Sequence, residues 1–514
     1  MNKSQIKIGM VLSYIYILFN TIVGIVFTPF LIRNLGDVEY GLYQMMASFA
    51  SYLVIMNFGT GTVITRYVAI YIGKKDKKGE ANFIAMSLII TSMLMVLICV
   101  VALIMYTQID NIFANSLTNE QIEKSKIIYI LLVINIAIVL ISQAFEGIIS
   151  AYEKFIVINI WRIVKITLKV MLVILLVLYG WDSIAIVLVD LLLSVLFLFF
   201  ALWYVLYKLK IKIRLYKFEK TIFVDIAVFS LAIFFQSIVN QVNNNVDKTI
   251  LGIMIGPESV TIYSLAMNIF IIFSSLSTVA IPIYLPQLTK LVANGADGEK
   301  LTDAIIAPSR MQTIISGSIL FGFLICGKDF IIVLMKDMKY LAAWNIAVII
   351  MIPLFLTYIN GIVVSILDAL RKRMFRSILL VCMAGFNIFL SVLLIKEIGY
   401  IGAPIGTAVA TFIGHVIIMN IYYKRIIGLN VKRMFSSILK GIFPCLLVAS
   451  VASLPFVLLF PLGLSGLIVK GGIFVFVLTL TLYYKGLSIT EKQLFIKPIR
   501  ELLNINKHDI SKSN

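Results

Sequence analysis

From about residue 8 to residue 484 the chain is a succession of apolar runs separated by short polar stretches. Most of these runs are long enough, at ~1.5 Å per helical residue, to cross a hydrocarbon core ~30 Å thick. Their approximate limits are 8–32, 40–72, 82–106, 126–149, 160–180, 183–206, 221–255, 259–283, 309–327, 343–367, 376–395, 401–423, 436–459 and 465–484. Fourteen membrane spans are therefore expected, in an all-α polytopic architecture. The second and seventh runs are long enough to be bent, tilted or extended beyond the bilayer. Composition agrees, with 61% hydrophobic and 13% charged residues where soluble domains average ~45–50% and ~25%. No segment is polar enough over enough length to form a separate water-soluble domain. Lys3 and Lys7 precede the first run, which is too long for a signal-peptide core and reads as a retained span.

The net charge of +19 would suit a nucleic-acid partner if it were gathered on one polar face. It is instead distributed by topology. With the N-terminus inside, 35 of the 44 Lys and Arg residues flank inner loops, the bias expected of cytoplasmic loops. Both termini are thus expected in the cytoplasm, the basic loops contact anionic lipid, and no nucleic acid is needed. Cys99, Cys326, Cys382 and Cys445 stand singly inside apolar runs, and His415 and His508 are far apart. Neither a metal site nor a disulfide framework is expected; single cysteines of this kind pack as small apolar residues.

An internal repeat appears at an offset of 218–220. Leu35-Gly36-Asp37-Val38-Glu39-Tyr40-Gly41-Leu42-Tyr43 aligns with Ile255-Gly256-Pro257-Glu258-Ser259-Val260-Thr261-Ile262-Tyr263. Ala151 and Lys154 align with Ala369 and Lys372, and Tyr179-Gly180-Trp181 falls near Ile398-Gly399-Tyr400. Six spans per copy is an even number, so the copies have parallel topology about an axis along the membrane normal. The expected division is a lobe at 1–220 (spans 1–6), a lobe at 221–430 (spans 7–12), spans 13 and 14 within 431–485, and a cytoplasmic tail at 486–514. The second span of each copy is interrupted at matching places, by Gly59-Thr60-Gly61 and by Pro282 and Pro286. Corresponding broken helices point to a transport site; a plain exit from the bilayer explains them equally well.

Ionisable residues inside a span cost ~2.5–3.5 kcal/mol at its centre, so each needs a partner or a water-filled cavity. Span 5 carries Arg162, Lys165 and Lys169 on one helix face. Lys169 lies about 15 Å in from Asn159, near mid-membrane. Snorkelling to the inner headgroups suits Arg162, whereas Lys169 is expected to line a cationic cavity. Span 7 carries Asp225, Gln236, Asn240, Asn243 and Asp247 in one stripe. Inter-helix hydrogen bonding accounts for one or two of these, and the stripe as a whole must face protein or water. Asp225, Asn243 and Asp247 are the candidates for coupling to a proton or sodium gradient, ahead of the lone Glu146, Asp190, Asp368 and His415. Asn20 occupies the repeat-equivalent place of Asn240. The run from Gly322 to Gly327-Lys328-Asp329 nearly spells a phosphate-binding loop, yet it lacks the final Ser/Thr and a preceding strand and closes a span.

The segment Pro29-Phe-Leu-Ile-Arg33-Asn-Leu-Gly36-Asp-Val-Glu-Tyr40-Gly41-Leu-Tyr43 resembles the first-loop signature of Wzx-type oligosaccharide flippases, of the multidrug/oligosaccharidyl-lipid/polysaccharide (MOP, MATE-like) exporter superfamily. Asn57-Phe-Gly59 through Arg66-Tyr67, and Asp247-Lys248-Thr-Ile-Leu-Gly252 through Ile262-Tyr263-Ser264-Leu-Ala266, are similar to two further blocks. The resemblance spans residues 8–430. It implies two V-shaped six-helix lobes, alternating access, and a cationic lumen for an undecaprenyl-diphosphate-linked oligosaccharide. Arg66, Arg162, Lys165, Lys169, Asn20 and Asn240 are then the expected substrate contacts. A bacterial cytoplasmic membrane, no cofactor, and partners among membrane lipids, a polysaccharide polymerase and other assembly proteins follow from the same resemblance. An ion-coupled small-molecule antiporter of the same fold is the alternative. A membrane enzyme is disfavoured, because the longest loop, about Tyr284 to Pro308, has no acid/base cluster.

Overall fold

The computed structural model describes residues 3–217, 220–278, 281–370, 372, 374–488 and 491–492. Among them every regular element is helical, and eleven segments are long and apolar enough to cross a membrane. One of the eleven, Met374–Ile427, is 54 residues long, enough for two crossings. Two further long helices, Phe155–Leu178 and Lys220–Met254, carry ionisable residues along their length. The sum is consistent with the fourteen crossings expected.

The helices group into two compact units, residues 1–268 with 388–403, and residues 269–387 with 404–514. The first contains α1 (Lys3–Leu35), α2 (Asp37–Ser51), α3 (Thr60–Lys74), α4 (Lys77–Thr107), α5 (Ile109–Phe113), α6 (Asn119–Ala151), α7 (Phe155–Leu178), α8 (Ile184–Trp203), α9 (Lys220–Met254) and most of α10 (Pro257–Ser277). Residues 221–268, expected in the second lobe, fall in the first unit, where α9 packs on α2 and α3. The second span is broken as expected. A 3-10 segment ends at Asn57, and Phe58 and Gly59 take φ of 50° and 67°, a left-handed conformation in which glycine carries no steric cost. The corresponding place in the second copy also ends a helix, at Ser277.

A core of Val68, Phe83, Ile84, Ile148, Ile149 and Ala201 gathers α3, α4, α6 and α8. Residues 211–217, which follow a left-handed Lys210 (φ 52°), form no regular element and lie against this core. Ile211 is buried in it while Lys210, Lys212 and Arg214 are exposed. The buried Asn82 holds that strap. Its Oδ1 accepts from the amides of Tyr216 (2.7 Å) and Lys217 (3.0 Å), and its Nδ2 donates to the Lys217 carbonyl at 2.8 Å.

The second unit contains α11 (Ile281–Ala293), α12 (Gly298–Met335), α13 (Ala342–Ile359), α14 (Val363–Ala369), the start of α15 (Met374–Ile398), α16 (Gly402–Thr411), α17 (Met419–Tyr422), α18 (Val431–Leu439), α19 (Ile442–Leu459) and α20 (Leu464–Thr481). The loop expected at 284–308 is mostly helix. Asp297 caps α12 by accepting from the Lys300 amide at 2.9 Å, and Pro308 lies inside that helix. Proline within a membrane helix is tolerated because neighbouring groups satisfy the freed carbonyl. The run from Gly322 to Asp329 is likewise continuous helix, so it forms no phosphate-binding loop. Within α12, Arg310 donates to the carbonyls of Ser437 (3.0 Å), Lys440 (2.8 Å) and Gly486 (2.6 Å) and to the Glu491 carboxylate (2.8 Å). A single guanidinium thereby satisfies the orphan carbonyls that close α18 and follow α20. Burial raises the pKa of Glu491, and the bonds from Arg310 and Ser488 outweigh that and hold it below its usual value.

Candidate functional site

Two helices joined by a short loop pack antiparallel, and α7 and α8 are joined at residues 179–183. Residues equidistant from that turn therefore come abreast. Lys169 meets Asp190, Nζ to Oδ2 2.6 Å, and one turn away Lys165 Nζ donates to Ser194 Oγ at 3.0 Å. The next rung is aromatic, with Trp161 stacked on Phe197 and Phe200, centroids 5.5 and 4.9 Å apart. Arg162, one residue round, pairs with Glu146 of α6. Of the three cations on this face, Lys165 is the one with no carboxylate within 4.0 Å among the described residues.

The opposing wall is α1. Asn159 fixes it there by donating to the Gly9 carbonyl (2.9 Å) and to Ser13 Oγ (2.8 Å), and a side chain on Gly9 would overlap Phe155. Between the two helices lies a cleft of about 380 Å³, lined by Tyr16, Asn20, Gly24 and Phe27 from α1 and by Arg162, Lys165 and Lys169 from α7. Arg162 also stands over the Tyr16 ring at 6.0 Å. Tyr43 of α2 lies close enough to Lys169 and Asp190 to feel both charges. A second cavity, of about 310 Å³, is mostly apolar, with Phe58, Val63, Ile64, Ile90, Leu94 and Leu231 beside the hydroxyls of Thr60, Ser87, Thr91 and Ser230, and no charged residue lines it.

The structure thus gathers four of the expected contacts, Asn20, Arg162, Lys165 and Lys169, around one cleft. The others stand on other elements. Arg66 is on α3, its guanidinium 5.9 Å from the Tyr67 ring centre. Asn240 on α9 accepts from Gln236 at 3.1 Å, and Asn243 is exposed. Asp247 is buried and accepts from the Tyr263 hydroxyl at 2.6 Å. The side chain of Asp225 lies outside the described residues. Glu146 and Asp190, read from sequence as lone groups, are the counterions of the α7 cations. The place of Asp190 relative to the turn at Gly180, and that of Glu146 relative to the turn at 152–154, were the available signals.

A further ion pair had no such signal. Lys470 of α20 contacts both oxygens of Asp329 of α12, at 3.0 and 2.9 Å, with side chains 0% and 1% exposed. The Gly463 amide donates to the same carboxylate at 3.2 Å, and Gly466 leaves it room, since a Cβ there would overlap Oδ1.

The two copies of the repeated motif touch one another. Thr261 Oγ1 donates to the Asp37 carbonyl at 2.6 Å, and a Cβ on Gly41 would overlap the Pro257 carbonyl oxygen. At an offset of 220, Asp37 corresponds to Pro257 and Gly41 to Thr261. The contacts 37–261 and 41–257 are therefore images of each other, the signature of a pseudo-two-fold axis.

A family model described as polysaccharide biosynthesis protein matches residues 8–292. No match is found among curated proteins. Among solved structures the chain is similar to the lipid II flippase MurJ in an inward closed conformation, at 15% identity and TM-score 0.72, over 95% of this chain and 99% of that one. It is also similar to an inward-facing multidrug resistance MATE family transporter of the MOP superfamily, at 17% identity and TM-score 0.60, over 82% and 96%. A MOP superfamily transporter from Pyrococcus furiosus Vc1, described as having a binding pocket of reverse polarity, matches at 16% identity and TM-score 0.54, over 84% and 95%. At such identities these likenesses concern the fold, which is that of the MOP exporters.

Proposed function

We propose that this chain, which belongs to the polysaccharide biosynthesis protein family, is a flippase for undecaprenyl-diphosphate-linked oligosaccharide. It is a multi-pass membrane protein with a MOP-type fold; the substrate is our reading. The observation that carries it is the cleft between α1 and α7. Its pairs cancel one another, and Lys165 leaves it one net positive charge beside the amide of Asn20. A diphosphate entering a poorly hydrated region needs such pairing, because an unpaired charge there is very costly. Lysine supplies it as a compact, mobile point charge. A cationic drug would meet Lys165 with like charge, which argues against a drug antiporter. The glycan remains outside this cleft, whose size suits the diphosphate end alone.

The test is export. Lys165→Ala/Lys169→Ala should leave the protein in the membrane at normal level and cause lipid-linked intermediates to accumulate inside, with export falling about tenfold or more, the equivalent of ~1.4 kcal/mol. Lys165→Arg should retain part of the activity. Wild-type export by the double alanine variant would remove the cleft from the transport path.

The reading includes an orientation, with both termini in the cytoplasm of a bacterial cell and two six-span lobes working by alternating access. Its product reaches the outer face, where a polymerase takes it up. In a background without native cysteines, Asn115→Cys should label with an impermeant maleimide in intact cells and Lys77→Cys should not. Equal labelling of the two would exclude that topology.

A further inference from the structure

Resting on the diphosphate reading, we infer that Asp190 is an internal stand-in for the substrate's charge, holding Lys169 while the cleft is empty and yielding it when a diphosphate binds. The contrast with the other lysine pair of the fold carries the point. Lys470 and Asp329 are 0% and 1% exposed, so no ligand can reach between them and the pair is purely structural. Lys169 and Asp190 are 26% and 21% exposed. They are desolvated enough that Lys169 needs a partner, and open enough that the partner can be exchanged. Arg162 and Glu146, at 46% and 19%, form a looser pair nearer to solvent.

The rungs of the α7–α8 ladder give the order of events. Lys165 faces a hydroxyl, Ser194, rather than a carboxylate, so it is ready for an incoming anion. One turn on, Lys169 is occupied by Asp190. A diphosphate carries two phosphoryl groups, and two ammonium groups one turn apart can each take one. The first contact falls to Lys165; the second requires Lys169 to leave Asp190. The groups around this exchange are Lys165 and Lys169 on α7, Asp190 on α8, Tyr43 on α2, and the Arg162–Glu146 pair between α7 and α6.

Such a counterion weakens binding and quickens the cycle. After the substrate leaves, Asp190 takes Lys169 back, so the empty cleft returns without a bare cation in a region where one is costly. A site with two free ammonium groups would match the diphosphate charge fully and hold it. Binding a substrate more tightly in every state adds nothing to turnover.

Asp190→Asn should therefore bind more tightly and turn over more slowly. Farnesyl diphosphate is a short probe, measured by calorimetry on purified protein in detergent, with turnover followed in proteoliposomes on a short-chain polyprenyl-diphosphate sugar. The expected result is a Kd about tenfold lower than wild type, as for any ~1.4 kcal/mol gain, with turnover reduced several-fold. Equal or weaker binding by Asp190→Asn overturns the inference and leaves the cleft's function standing. Absence of binding by the wild-type protein overturns the diphosphate reading itself. If Asp190→Asn does not fold, Ser194→Asp makes the opposite change one turn away. It gives Lys165 a counterion and should weaken binding about tenfold; unchanged affinity there also overturns the inference.

Discussion

Lys470→Ala is expected to destabilise the second unit by about 3–5 kcal/mol, the cost of leaving one member of a buried pair without the other. Asp329 would then be a carboxylate with 1% exposure, keeping one bond from the Gly463 amide. An unpaired buried charge of this kind costs several kcal/mol. The expected readouts are a large drop in the detergent melting temperature and a low level of protein in the membrane. Replacing both partners with apolar residues of similar volume, Asp329→Leu/Lys470→Met, should recover most of the loss, since a buried pair seldom exceeds good apolar packing in stability. Gly466→Ala should behave like a partial Lys470→Ala, because its methyl occupies the place of the Asp329 oxygen. A Lys470→Ala protein that melts with the wild type would show that the pair does not hold α20 against α12.

The second large effect is expected from Gly41→Leu. The opposing atom is the Pro257 carbonyl, which belongs to the backbone of α10 and cannot rotate away as a side chain can. Overpacking typically costs 1–3 kcal/mol even where side chains are free to move. The close approach of the two motif copies should therefore be lost while each helix keeps its own bonds. Export should fall at least about tenfold, by ~1.4 kcal/mol or more, at normal protein level. Thr261 is fully buried, so Thr261→Cys should resist a water-soluble maleimide in an otherwise wild-type, cysteine-free protein and react once Gly41→Leu is added. Continued protection together with wild-type export would mean that the copies can separate without consequence.

Much of this was legible from residues because the bilayer allows few solutions. Apolar runs gave the membrane helices, and the first interruption falls at Phe58–Gly59 as expected, whereas the second lies after Ser277, ahead of the Pro282 and Pro286 expected to make it. The α7 cations were legible by their cost. Their charge state was not, because Asp190 and Glu146 stand 21 and 16 residues from the groups they neutralise and only a packed helix pair brings them together. Asp329 and Lys470, 141 residues apart, share no turn from which their registration could be counted. The stretch 284–308 was misread for another reason. Pro286 and Pro308 were taken as ends of helices, and both lie within them.

The motif by which the repeat was recognised is also the place where its copies touch, and this sets how the contact can give way. The bond from Thr261 to Asp37 and the approach of Gly41 to Pro257 are governed by one axis. A rotation that keeps this symmetry lengthens one contact and its image by the same amount. Under such a rotation neither is spared while the other opens, so a partly open arrangement loses both. Packed surfaces of this kind have two states rather than a continuum. If the copies part during transport, such a junction would act as a snap closure, and a substitution in either copy would move its threshold for the whole.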